Sequence, residues 1–145
     1  MKPARALKEI LKIIYPMKYL FIIDDDEMYQ LILKRNIRKI NPDINIISYL
    51  NGQEAIDSFK EIIISNQPIP DVVFLDINMP VLDGWQFLEE YEKIRHNINS
   101  NVDIYIASSS INEMDMKKAL EYSVVKDYVT KPVTSSLLKD ILIVA

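Results

Sequence analysis

Apolar runs typical of buried strands alternate with helix-patterned segments along almost the whole chain, and this alternation constrains the fold more than any other feature. YLFII at 19–23, VVFL at 72–75 and IYIA at 104–107 are continuous apolar runs, as expected for strands covered on both faces. INIISY at 44–49 and DYV at 127–129 are two further strand candidates. Five strand–helix units in strict order predict an α/β fold, with a parallel sheet and helices on both of its faces.

Apolar residues at three- and four-residue spacing mark the predicted helix after each strand. Residues 27–40 carry four basic residues on one helical face and an apolar set on the other: Tyr29, Ile32, Leu33, Ile37 and Ile40. The same spacing predicts four more helices, which contain Ala55 to Ile63, Phe87 to Ile94, 112–122 and Leu137 to Leu142. Trp85 begins the third of these five helices, and we expect it to pack locally.

Residues 1–16 stand apart from the alternation. Apolar residues recur there at helical spacing between lysines, and Pro16 ends the pattern. Two interpretations stay open: a short amphipathic helix that docks onto another surface, or an appendage before a domain that starts near Met17. We therefore divide the chain into an N-terminal extension of uncertain role, 1–16, and one domain, 17–145.

Composition excludes several classes of function. The 145 residues suit a single core, and 21 acidic against 17 basic residues argue against nucleic acid as a partner. The chain has no cysteine, so cysteine nucleophiles and thiolate metal sites are excluded, and its two glycines are too few for a dinucleotide-binding turn. No apolar run approaches the ~20 residues that span a bilayer, and Lys8 and Lys12 interrupt any signal-peptide pattern. We expect a cytoplasmic protein without membrane insertion.

Polar side chains follow four of the predicted strands, where ligands of such sheets bind. Asp24 and Asp25 follow the first strand, Asp76 the third, Ser108 the fourth and Lys131 the fifth. Clustered carboxylates from separate strands favour Mg²⁺, which prefers a few oxygen ligands and often shares a phosphate with its site. An aspartate beside such an ion can form an acyl phosphate, with an ammonium and a hydroxyl available to the transferred group.

The segments FIIDDD, VVFLDINMPVLDGWQFL, IASSS and YVTKP, in this order and at these spacings, resemble the receiver domain of two-component response regulators. The resemblance covers about residues 17–145. It implies a flavodoxin-like, doubly wound sheet with the strand order 2-1-3-4-5. It further implies that Asp76 is the phosphoacceptor. Asp24 and Asp25 match the acidic pair that holds Mg²⁺, with Asp25 as the direct ligand and Asp24 as the water-mediated one.

The same resemblance assigns roles to residues of the later strands. Asn78 matches the position whose backbone carbonyl completes the metal shell. Ser108 matches the switch hydroxyl, Tyr128 the switch aromatic, and Lys131 the lysine that contacts the phosphoryl group. Pro132 matches a proline whose preceding peptide bond is usually cis in this family.

The implied function is that of a stand-alone, CheY-like receiver whose phosphorylation on Asp76 depends on Mg²⁺. A sensor histidine kinase or a histidine phosphotransfer protein would supply the phosphoryl group. The face built from the fourth helix, fifth strand and fifth helix would then change and bind a downstream protein or a second copy. Such a protein is not an enzyme beyond its own phosphorylation and dephosphorylation. A receiver that serves as a phosphate sink or docking scaffold without switching is an open alternative.

A magnesium-dependent phosphohydrolase is the alternative from a different class. It would use Asp24 as nucleophile and Asp26 as acid/base, in the D-x-D spacing of such enzymes. The expected threonine two residues further on and the substrate-capping insertion are both missing. Asp26 fits better as the N-cap of the first helix, with Glu27 in its first turn, where negative charge suits the helix dipole.

Overall fold

The computed structural model describes residues 6, 7, 10 and 18–144, and its centre is a five-stranded parallel sheet in the order β2-β1-β3-β4-β5. The strands are β1 (Tyr19–Ile23), β2 (Asn45–Tyr49), β3 (Val72–Leu75), β4 (Asp103–Ser108) and β5 (Val125–Thr130). Each is followed by a helix: α1 (Glu27–Ile40), α2 (Gly52–Ser65), α3 (Gly84–Ile94), α4 (Glu113–Leu120) and α5 (Ser135–Val144). The predicted α/β fold and its strand order are confirmed.

Two apolar clusters, one on each face of the sheet, bury the strands. Phe21 and Ile23 of β1 pack with residues of α2, α3 and α4, such as Phe59. Leu20 and Ile22 alternate with them along the strand and pack with residues of α1 and α5 on the other face. Successive side chains of a strand point to opposite faces, so a continuous apolar run serves both clusters. This double burial is the reason that these runs form the central strands.

Most predicted boundaries agree with the structure, and the differences have simple physical causes. Ile32 was expected on the buried face of α1 but is 53% exposed, because α1 meets the sheet along the narrower stripe of Leu33 and Ile37. Helix α4 is shorter than the predicted 112–122 at both ends. It begins after Asn112, whose side chain accepts a hydrogen bond from the Met114 N–H and caps the helix, and it ends at Leu120, after which the N–H groups of Glu121 and Tyr122 donate to carbonyls only three residues back. Strand β5 is longer than the predicted DYV, since it also pairs with β4 at both ends.

The N-terminal prediction is only partly covered by the described residues. Ala6, Leu7 and Ile10 are helical, and Leu7 and Ile10 are 56% and 51% exposed. The remainder of the predicted helix lies outside the described residues. Among the helices of the described part of the chain, none is long and apolar enough to cross a membrane.

Candidate functional site

Three carboxylates meet where β1 and β3 end. The two strands are neighbours, and their pairing continues past their last residues, since Asp76 N–H donates to the Ile23 carbonyl at 2.9 Å. Asp24 and Asp76 are buried, with 2% and 7% of their surface exposed, whereas Asp25 is exposed. One oxygen from each of the three carboxyl groups lies within 4.8 Å of the others. The structure therefore brings together the three acids that the sequence placed after the carboxyl ends of two strands.

One ammonium group faces this acidic cluster. Lys131 Nζ lies 2.6 Å from Asp24 Oδ2 and 3.5 Å from Asp76 Oδ1. Burial and, next to it, the charge of Asp24 raise the pKa of Asp76 to about 6 against the opposing effect of Lys131. Burial also raises the pKa of Asp24, although hydrogen bonds from Lys131 and from the Asp26 N–H act against that rise. Among the described residues, the ammonium of Lys131 thus compensates the carboxylates incompletely.

The donor set suits a hard divalent cation. Three carboxylate groups with oxygens this close repel one another, and Mg²⁺ is the kind of ion that such oxygens bind. Asp24, Asp25 and Asp76 are the residues that would hold it. Asn78 lies exposed in the loop after β3, and the role of its backbone carbonyl stays a prediction.

Both glycines of the chain brace the loop that follows Asp76. A Cβ atom on Gly84 would lie 2.4 Å from the Asp76 carbonyl oxygen, and one on Gly52 would lie 2.5 Å from the Leu82 carbonyl oxygen. Gly52 N–H donates to that Leu82 oxygen at 2.9 Å, and Gly84 N–H donates to the Ile77 carbonyl at 2.8 Å. Only a residue without a side chain allows these close approaches. The glycines therefore hold the loop beside the candidate phosphoacceptor.

The ends of β4 and β5 bring together the predicted serine, tyrosine and lysine. Ser108 is 1% exposed, and its Oγ accepts a hydrogen bond from Ser110 N–H at 3.1 Å. Tyr128 is buried, and its hydroxyl donates to the Ser110 carbonyl at 2.8 Å. Lys131 N–H donates to the Ser108 carbonyl at 2.8 Å, and the Lys131–Pro132 peptide bond is cis. Ser110 thus connects the predicted switch hydroxyl with the predicted switch aromatic.

Asp26 has a different role from the two acids that precede it. Its side chain accepts a hydrogen bond from Tyr29 N–H at 3.0 Å and caps α1, as the sequence predicted. Its own N–H donates to Asp24 Oδ1 at 2.9 Å, which fixes the buried carboxylate. Glu27 lies in the first turn of α1. A carboxyl group that caps a helix is poorly placed as the acid/base that the phosphohydrolase alternative requires.

Sequence reasoning missed two residues that contact the site. Gln30 is buried, and its side-chain amide donates to the carbonyls of Asp24 and Tyr49 at 2.7 and 2.9 Å. The ring of Tyr29, which the sequence placed only on the apolar face, lies beneath Lys131 Nζ at 4.3 Å from the ring centroid. Tyr29 and Gln30 follow the helix cap by three and four residues, which is an ordinary position on an amphipathic helix, so the sequence carries no signal of these contacts.

Trp85 does not pack locally as expected. Its ring stacks on Tyr122, with centroids 6.3 Å apart, and Lys118 Nζ lies 4.4 Å from its centroid. Lys118 belongs to α4 and Tyr122 follows that helix, so this tryptophan links α3 to the neighbouring helix on the same face of the sheet. Helix adjacency across the sheet is a tertiary property, which is why the local pattern gave the wrong expectation.

Comparison with known proteins connects this geometry to one family. The family described as "Response regulator receiver domain" matches residues 20–143. Chemotaxis protein CheY of Thermotoga maritima is 28% identical over 125 residues, which cover 86% of this chain and 94% of that protein. Three further curated relatives are much longer, and this chain spans 15%, 7% and 6% of their lengths.

Solved structures agree in fold. A two-component response regulator from Cytophaga hutchinsonii matches with a TM-score of 0.78 and 26% identity, covering 86% of this chain and 93% of that one. A second match has a TM-score of 0.70 and 30% identity, covering 85% and 84% of the two chains. It is the co-crystal structure of the Saccharomyces cerevisiae histidine phosphotransfer signaling protein Ypd1 and the receiver domain of its downstream response regulator Ssk1.

Proposed function

This chain belongs to the response regulator receiver domain family, and from that premise we propose that it accepts a phosphoryl group on Asp76 from a phosphohistidine of a partner protein. The observation that carries the proposal is the convergence of three carboxylates, whose oxygens lie within 4.8 Å, with one lysine at the ends of β1, β3 and β5. The proposed receiver domain occupies residues 17–145, and 1–16 stays an extension of uncertain role.

Asp76 is suited to act as the nucleophile. Its pKa of about 6 leaves the carboxylate ionised at neutral pH, and an ionised oxygen can attack phosphorus. A bond forms between that oxygen and phosphorus while the bond from phosphorus to the donor imidazole nitrogen breaks. The nitrogen leaves with the electron pair, and the imidazole ring takes up a proton from solvent water. Above about pH 6 the nucleophile is therefore available without a separate base.

Positive charge around the transferred group is the second requirement. The ammonium of Lys131 lies 3.5 Å from Asp76 Oδ1, within reach of a phosphoryl oxygen on that carboxylate. Bound Mg²⁺, held by Asp24, Asp25, Asp76 and the Asn78 carbonyl, would supply the remaining charge compensation. The only catalysis that we propose for the chain itself is its own phosphorylation and dephosphorylation.

Ser108 and Tyr128 offer a route from the phosphoryl group to a surface. The Ser108 hydroxyl now accepts from Ser110 N–H, and a turn toward phosphoryl oxygens would release that donor. Since Tyr128 donates to the carbonyl of Ser110, the two side chains are coupled through one residue. The phosphorylated protein would favour one of two arrangements of the face formed by α4, β5 and α5.

A sensor histidine kinase or a histidine phosphotransfer protein is the proposed source of the phosphoryl group, and the cytoplasm is the proposed location. The similarity to the receiver domain of Ssk1, which was crystallised with the phosphotransfer protein Ypd1, supports this partner class. The face of α4, β5 and α5 is the proposed contact for a downstream protein or a second copy. Ile111, shortly before α4, and Met114, in its first turn, are each 78% exposed and offer apolar surface for such a contact.

Phosphorylation by a small phosphodonor tests the proposal. Purified protein with Mg²⁺ and acetyl phosphate should gain one phosphoryl group, Asp76→Asn should gain none, and the exposed Asp43→Asn should behave like the unchanged protein. Incorporation into Asp76→Asn at the normal level would contradict the proposal. The phosphohydrolase alternative is not favoured by the family assignment, and Asp24, its nucleophile, is bound by Lys131 and by the Asp26 N–H.

A further inference from the structure

The ammonium of Lys131 has an aromatic neighbour besides its two carboxylates. Its Nζ lies 4.3 Å from the ring centroid of Tyr29, 2.6 Å from Asp24 Oδ2 and 3.5 Å from Asp76 Oδ1. The lysine side chain is only 15% exposed. A cation is attracted to the face of an aromatic ring, and the attraction grows when water is excluded. The ring is thus a third attractive contact for the ammonium.

Neighbouring structure fixes the position of this ring. Tyr29 N–H donates to the capping carboxylate of Asp26 at 3.0 Å, so the residue is anchored in the first turn of α1. The side chain is half-buried and packs against the apolar cluster between α1, α5 and the sheet. Because backbone and side chain are both held, the ring forms a rigid support for a flexible lysine.

We propose that Tyr29 is a positioning residue that keeps the Lys131 ammonium between Asp24 and Asp76, ready for a phosphoryl group on Asp76. The nearer carboxylate, Asp24, draws the ammonium away from Asp76. A neutral ring attracts the cation without adding a further negative charge to the cluster. Without the ring, the four-carbon side chain of lysine gains rotamers that leave Asp76. This inference rests on the proposed role of Asp76.

The Tyr29 hydroxyl provides a matched control. It is buried and has no hydrogen-bond partner among the described residues. Tyr29→Phe therefore keeps the ring and breaks no hydrogen bond of the described structure, whereas Tyr29→Leu removes the ring and keeps an apolar side chain. The two variants separate the face of the ring from its hydroxyl.

The first test measures the rate of phosphorylation by acetyl phosphate with Mg²⁺. Tyr29→Phe should stay within about twofold of the unchanged protein, and Tyr29→Leu should be about tenfold slower. Trp85→Leu is a control, because it removes a similar cation–ring contact, with Lys118 at 4.4 Å. It should leave the rate unchanged. Equal rates for Tyr29→Phe and Tyr29→Leu would contradict the proposal.

The second test detects the contact directly, in protein that carries no phosphoryl group. The ring current of Tyr29 should shift the ε-methylene proton resonances of Lys131 upfield in the NMR spectrum. The shift should persist in Tyr29→Phe and disappear in Tyr29→Leu. A resonance position that is the same in all three proteins would overturn the proposed support, whatever the phosphorylation rates are.

A double-mutant cycle separates positioning from general packing. In a Lys131→Met background, Tyr29→Leu should change the residual rate by less than about twofold, since the group that Tyr29 positions is gone. A tenfold loss in that background as well would show that Tyr29 acts through packing alone. If Lys131→Met has no measurable activity, the resonance shift decides.

The proposed function and the positioning role of Tyr29 can be contradicted separately. If the unchanged protein takes up no phosphoryl group on Asp76, the proposed function fails, and the Lys131 resonances still report on the Tyr29 contact. If the unchanged protein is phosphorylated on Asp76 and Tyr29→Leu reacts at the same rate, only the positioning role fails.

Discussion

Acidic side chains affect the stability of the folded protein in opposite ways in two regions, although Asp24 of the first region and Asp26 of the second are only two residues apart in sequence. In the acidic pocket formed by Asp24, Asp25 and Asp76 at the ends of β1 and β3, Asp24 and Asp76 are buried together, and burial raises the pKa of both. At the start of α1, Asp26 accepts a backbone N–H and faces the positive end of the helix dipole. A negative charge therefore destabilises the folded protein in the first region and stabilises it in the second. The cost is concentrated where the proposed chemistry takes place.

The largest expected effect comes from removal of the ammonium that balances the pocket. In magnesium-free buffer near pH 7.5, Lys131→Met should lower the free energy of unfolding by about 3 kcal/mol, because it leaves Asp24 buried without its partner. Urea unfolding measures the change.

Lys93→Met is the control for Lys131→Met. Its ion pair with Glu90 is nearly as short, 2.7 Å, but lies at the surface, so its loss should leave the free energy of unfolding almost unchanged. Equal effects of the two substitutions would remove the distinction between a buried pocket and ordinary surface charge.

Removal of a carboxylate from the pocket should have the opposite sign. Asp76→Asn should raise the free energy of unfolding by about 2 kcal/mol near pH 7.5 without magnesium, although it abolishes the proposed function. The raised pKa means that folded protein binds the Asp76 proton more tightly than unfolded protein does. That contribution to stability is complete below pH 3.8 and is lost as the pH rises through about 6.

Unfolding measured at several pH values can contradict the Asp76→Asn prediction. The advantage of the asparagine variant should be small near pH 4 and should grow up to about pH 6, as measured by unfolding at a series of pH values. An advantage that is constant with pH would mean that packing, and not charge, separates the two proteins. A destabilised variant near pH 7.5 would contradict the description of the pocket as a site of repulsion.

Of the two regions compared, the start of α1 should show the smaller effect on stability. Asp26→Ala should lower the free energy of unfolding by about 1 kcal/mol, because the Tyr29 N–H loses its acceptor. The protein should still be phosphorylated in a magnesium-dependent way. Asp25→Ala should instead abolish magnesium-dependent phosphorylation. If the two variants behave alike, the division of FIIDDD into a metal-holding pair and a helix cap is wrong.

Much of the fold could be predicted from the local pattern of apolar residues. Strands β1 and β3 begin and end where their apolar runs do, because double burial requires such runs. The site could be predicted because parallel strands deliver the residues after their carboxyl ends to one edge. Asp24 and Asp76, 52 positions apart, were expected together for that reason.

Contacts that depend on how helices lie on the sheet could not be predicted. Tyr29 and Gln30 looked like ordinary residues of an amphipathic helix, and only the position of α1 against β1 and β5 brings them to Asp24 and Lys131. The partners of Trp85 could not be predicted for the same reason, because Lys118 belongs to another helix and Tyr122 follows that helix. The close backbone approaches of the two glycines that brace the loop after Asp76 could not be predicted either, since such an approach leaves no mark in the sequence.

Chemical trapping of the phosphorylated residue tests the central claim most directly. Protein phosphorylated with Mg²⁺ and acetyl phosphate is reduced with borohydride, which converts an aspartyl phosphate to homoserine, and its peptides are sequenced by mass spectrometry. The account predicts homoserine at position 76 and unchanged aspartate at positions 24, 25 and 26. Homoserine at position 24, or none at position 76, would contradict it.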